Sequence, residues 1–121
     1  MPFRSRSTLF CLIAGSVLLS FAAAGCRHLP PSKPSSQWTP EEAQGAAIFQ
    51  VKCARCHYPT TTAGLHGPGL QALTKLPSMP SGAPPTDERL TDVIQRGRQE
   101  MPATPLTDDQ LRELLAYLHT L

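Results

Sequence analysis

The chain has 121 residues, with 11 Lys+Arg against 9 Asp+Glu, 13 Pro, 8 Gly and 4 Cys, which allows one small domain and excludes a multidomain enzyme. A net charge of +2 with 17% charged residues supplies no basic stripe able to neutralise many phosphates, and this argues against nucleic acid as a partner. Arg4 and Arg6 precede an apolar run from Leu9 to Ala24, and without these two the chain is formally neutral.

Residues 1–25 have the build of a secretory signal: a basic start, an apolar stretch interrupted by Gly15, Ser16 and Ser20, and small residues from Ala22 to Gly25 before Cys26. The run is shorter than the about 20 apolar residues that span a bilayer, which favours a cleaved signal over a permanent transmembrane helix. Ala23-Ala24-Gly25-Cys26 resembles the bacterial lipobox, with Ala23 where that motif usually has Leu. The resemblance implies that Cys26 is acylated, becomes the first mature residue and anchors an exported protein to a periplasm-facing membrane. Arg27 in the second mature position favours the outer membrane over the inner. The competing reading is a cut at an A-x-A-like site that leaves Cys26 an ordinary thiol. Residues 26–38 read as a flexible tether, because Arg27 to Gln37 is rich in Pro and Ser and has one apolar side chain, too little to offset the entropy of ordering it. At about 3.1 Å per residue it reaches roughly 34 Å. His28 and Lys33 read as solvated, and Trp38 as a ring packed on the start of the first helix.

The domain proper is residues 39–121, and its pattern is helical with long, Pro-broken connections. Thr39 as N-cap, Pro40 at the first helical position and Glu42 completing a capping box predict a helix to about Val51. Ala43, Ala46, Ala47 and Val51 recur at helical spacing, and Gly45 leaves a gap into which another helix can press its backbone. Cys53-Ala54-Arg55-Cys56-His57 follows directly. A second helix is predicted from about Asp87 to Arg96, with Leu90, Val93 and Ile94 as its apolar stripe and Gly97 as its stop. In the last helix Thr107 caps, Gln110 completes the box and Leu106 staples onto Leu111, while Leu111, Leu114, Leu115 and Leu118 line one face. His119 falls in the final turn and reads as surface. No strand alternation occurs, so the fold class is all-α. Phe3, Phe10 and Phe21 lie in the export signal, leaving Trp38, Phe49, Tyr58 and Tyr117 as the aromatics of the mature chain. A small domain needs more apolar burial than this, so something other than side chains is expected to fill its centre.

C-x-x-C-H is the signature of covalent c-type haem attachment: each thiol adds to a vinyl group, and the adjacent His reaches the iron from the same side. A thioredoxin-like redox pair would need a βαβ context, which is absent. A zinc site would need four ligands, whereas His28, His66 and His119 are scattered without ligand spacing. A structural disulfide of an exported protein and a chance match remain as alternatives. Cys11 lies in the signal and Cys26 in the lipobox-like segment, so Cys53 and Cys56 are the pair left for haem.

Over about 83 residues, essentially all of the mature domain, the chain resembles the class I cytochrome c family. Gly45 and Phe49 stand before the attachment motif as that family's Gly and aromatic residue do. Gly67-Pro68-Gly69-Leu70 is similar to its G-P-x-L, and Arg96 to Ala103 is similar to its G-x-x-x-M-P segment. The final helix, with Tyr117, is similar to the one that crosses the first. The resemblance implies a cytochrome c fold, three to four short helices around one covalently bound haem c. It also implies that the Pro68 carbonyl accepts from the ligating imidazole and that Leu70 packs on the ring. His57 and Met101 are then the axial ligands, a thioether being a soft, neutral donor suited to low-spin iron. Met79 is the rival sulfur and reads as a loop side chain covering a haem edge; His66 reads as partly exposed loop, and Tyr58 as packing near the propionate side or the surface. With both axial positions filled, the expected function is one-electron carriage between redox protein partners rather than enzyme catalysis. The alternatives are an electron-transfer subunit of a larger dehydrogenase or reductase complex, and a haem sensor or enzyme with a labile sixth ligand.

Overall fold

The computed structural model describes residues 28–121; the export signal expected over residues 1–25 and Cys26 lie outside the described residues. Three helices carry the domain, α1 (Pro40–Lys52), α2 (Asp87–Arg96) and α3 (Asp108–Leu118), with 3₁₀ turns at Ser35–Gln37 and Leu73–Lys75. No strand occurs among the described residues, and the single isolated bridge pairs Arg98 with Met101. The molecule is all-α, as its patterning predicts.

Each helix starts where its sequence provides a cap. Thr39 Oγ1 accepts from the Glu42 amide while the Glu42 carboxylate accepts from the Thr39 amide, and Thr107 and Gln110 repeat the arrangement at α3. Thr86 caps α2 through the Arg89 amide, and Gly97, at φ 75°, ends it. These reciprocal bonds satisfy amides that the first helical turn leaves without partners.

α1 and α3 pack closely along their length, and Gly45 makes this possible. A Cβ there would lie 1.9 Å from the Glu113 carbonyl oxygen and 2.8 Å from Tyr117 Cβ. The buried face of α1 is therefore Gly45, Ala46 and Phe49. This corrects the sequence reading of Ala43, Ala47 and Val51: all three are exposed, Val51 to 78%. Small and apolar residues are spread around the whole of α1, so its periodicity is a weak guide, and the crossing glycine decides which side faces in. On α3 the buried residues are Leu114, Tyr117 and Leu118. Trp38 packs edge-on against Tyr117 of α3, with ring centroids 5.3 Å apart.

The segment before α1 also differs from its sequence reading. Lys33, expected to be solvated, places Nζ 2.9 and 2.8 Å from the two carboxylate oxygens of Glu42. Its amide donates to the Thr120 carbonyl, and its own carbonyl accepts from Trp38 Nε1. From Pro30, whose carbonyl accepts from Gln71 Nε2, the chain thus lies against the domain. The fastening is polar, and a count of apolar side chains does not detect it. Lys33 holds the Glu42 carboxyl below the usual carboxylate range, first through the side-chain hydrogen bond, with the Thr39 amide adding to it.

Candidate functional site

α2 makes only light contact with α3 and stands off α1. The space this leaves is a cavity of about 570 Å³ floored by Phe49, Leu90, Ile94, Leu114 and Leu118, within the range of about 300–1,000 Å³ common for cofactor sites. Around it the structure brings together every residue that the sequence singles out for the domain's site: Cys53, Cys56, His57, Pro68, Leu70 and Met101.

Cys53 caps α1, donating its amide to the Phe49 carbonyl. The chain then winds round the Cys53 carbonyl, which accepts from the amides of Cys56 and His57 at 3.0 Å each. Both thiols and the imidazole consequently project from one compact turn beside the cavity. Both thiols are free, and burial, with Cys56 adding to it, pushes the Cys53 thiol up to about 11.

His57 is held from behind. Its Nδ1–H donates to the Pro68 carbonyl oxygen at 2.8 Å, which leaves the Nε2 lone pair as the metal-binding position and fixes the ring's orientation. Gly67 lies flat against the imidazole: a Cβ there would be 2.4 Å from His57 Cε1. The Gly67 amide donates to the Cys56 carbonyl and the Leu70 amide to that of Tyr58, tying the loop to the attachment turn. Gly69 is crowded by the carbonyls of Thr61 and Ala63. The loop is thus built round the ring and the backbone behind it.

Met101 enters the cavity from the connection between α2 and α3. Its amide and carbonyl exchange 2.9 Å bonds with those of Arg98, closing a two-residue turn with Gln99 at φ 52°. Gly97 is equally constrained, since a Cβ would meet the Met101 carbonyl and the Ala103 amide at 2.6 Å. Met79 also lines the cavity, from a turn closed by its bonds with Gly82 and Ala83. His66 is exposed at the rim, and Tyr58 is 42% exposed.

One residue that sequence reasoning misses is Gln95. It sits on the polar side of α2, yet its amide group pairs with both backbone groups of Leu106; nothing in helical periodicity marks it.

The donor set suits haem c: two thiols, an oriented imidazole, two thioethers and apolar side chains line one cavity. Cys53, Cys56 and His57 would hold it. No group of three or more His, Cys, Asp or Glu that could bind a bare metal ion occurs among the described residues. Residues 40–118 match the family model described as cytochrome C oxidase, cbb3-type, subunit III. No match is found among curated proteins.

Proposed function

Since the chain belongs to the cbb3-type cytochrome c oxidase subunit III family and is thereby a haem c electron-transfer protein, we propose that it is a monohaem one-electron carrier whose iron is ligated by His57 and Met101. When bound, haem c supplies a one-electron couple at iron. The chain's own residues do the rest. Cys53 and Cys56 would hold the group through thioether bonds, and the Pro68 carbonyl fixes the His57 ring so that Nε2 is free to bind iron. Phe49, Leu114 and Leu118 exclude water. Met101 would supply the second protein ligand, leaving no open coordination position for a substrate or O₂.

The observation that carries this reading is the cavity with His57 and Met101 among its lining residues, the first held by a hydrogen bond and the second by a closed turn. Redox partners dock transiently at the rim, where Arg98 and Glu100 offset one another and Pro80, Ser81 and Gln99 are uncharged. Cys26 anchors the protein by its lipid to a periplasm-facing membrane, the outer one in preference. No helix among the described residues is long and apolar enough to cross a membrane.

The test is ligand replacement. Ferric protein shows the weak near-infrared band of sulfur-to-iron charge transfer. Met101→Ala removes that band, lowers the reduction potential and opens the iron to CO, while Met79→Ala leaves all three unchanged. Rapid stoichiometric CO binding by the native ferrous protein would replace the carrier with a sensor or catalyst. A second reading, an electron-transfer subunit of a larger complex, is favoured by the matched family's description as an oxidase subunit. Comigration of the haem with a second polypeptide in mild-detergent extracts would establish it.

A further inference from the structure

We propose that Gln95 is the positioning residue for Met101: its side-chain amide pins the far end of the ligand loop to α2 and so sets how often the sulfur leaves the iron. The proposal rests on the reading of Met101 as sixth ligand and adds what holds it there.

The connection from Gly97 to Leu106 has no helix or strand of its own. Its near end is fixed by the α2 cap, where the Gly97 amide donates to the Val93 carbonyl. Its far end returns alongside the last turn of α2. There the Thr104 amide donates to the Ile94 carbonyl at 2.8 Å, a carbonyl that the helix end leaves without an intrahelical partner. One residue on, Gln95 Nε2–H donates to the Leu106 carbonyl and Gln95 Oε1 accepts from the Leu106 amide, both at 3.0 Å. A primary amide carries a donor and an acceptor side by side, so it pairs with a backbone residue as a neighbouring strand would.

Gln95 and Leu106 are both only partly exposed, which keeps water from replacing the pair without cost. Between the two fixed ends stand Pro102 and Pro105, whose rings lock φ, and the Arg98–Met101 turn. Met101 is therefore a short, stiff distance from the Thr104–Leu106 anchor. Without Gln95 the far end of the loop keeps only the Thr104–Ile94 bond to α2 and the Thr107 cap of α3.

The experiment uses the haem-loaded full chain and compares Gln95→Leu with Thr39→Ala. Leu keeps most of the side-chain volume and removes both hydrogen bonds. Thr39→Ala weakens the α1 cap, away from the loop, and controls for a general loss of stability. The readouts are the rate at which CO enters the ferrous protein, which is limited by departure of the sulfur, and the temperature at which the near-infrared band disappears. We expect Gln95→Leu to raise the CO rate at least tenfold and to lower the band's transition temperature below the unfolding temperature, with Thr39→Ala moving the CO rate less than twofold. An unchanged CO rate in Gln95→Leu overturns the proposal, and so does an equal change in both variants. If the native protein shows no sulfur-to-iron band, the ligand reading fails and the proposal falls with it.

Discussion

The orientation of the proposed ligand His57 is defined as much by what lies behind the ring as by the ring itself. Gly67 has no side chain because none fits, and this gives a sharp prediction. Gly67→Ala places a methyl 2.4 Å from His57 Cε1, while a Cβ at Gly64 meets nothing closer than the Gly67 carbonyl at 3.4 Å. Gly67→Ala should therefore displace the imidazole and give the ferric spectrum a high-spin component, and Gly64→Ala should leave it low-spin. The residues proposed for haem attachment stand out in the sequence because that chemistry demands adjacency along the chain. Gln95 is not, because its partner is eleven residues away and is backbone, which every residue offers alike.

Among the elements, the crossing helices α1 and α3 line the cavity through Phe49, Leu114 and Leu118. Gly45→Ala forces apart two helices that meet at the Glu113 carbonyl. It should destabilise the haem-loaded protein by about 3 kcal/mol, the upper part of the usual overpacking cost, measured by denaturant unfolding followed by CD. The starts of α1 and α3 are plain from sequence because a capping box occupies four consecutive residues. The α2 stop is equally plain from Gly97. The buried face of α1 is not, because Ala43 and Ala47 are as small as Ala46 and only the partner helix decides which of them is covered. On α3 the leucine stripe leaves less room for error, and Leu114 and Leu118 are buried as its spacing implies.

For the molecule as a whole, the sparse core is its most informative property. Phe49, Leu114 and Leu121 are the largest fully buried side chains, and the shortage of aromatics predicts a centre filled by something else. The segment before α1 adds a polar fastening between Lys33 and Glu42. Because Glu42 titrates below its ordinary value of about 4.3 in the folded state, the stability it contributes is present above that value. It is lost as pH falls through the folded pKa. Lys33→Ala should accordingly be less stable than the native protein at neutral pH, and the difference should close as both are acidified. Thermal unfolding across pH 2 to 7 checks this, within about the range where carboxylates titrate.

We propose that one haem fills the space between α1 and α2, held covalently by Cys53 and Cys56. Acid-acetone extraction followed by the denatured pyridine adduct spectrum tests it most directly. One haem per chain should resist extraction and give a c-type spectrum, and replacing either Cys53 or Cys56 with Ser should shift that spectrum toward attachment through a single thioether. Complete extraction of the haem, or purified native protein holding zinc and no haem, would contradict it.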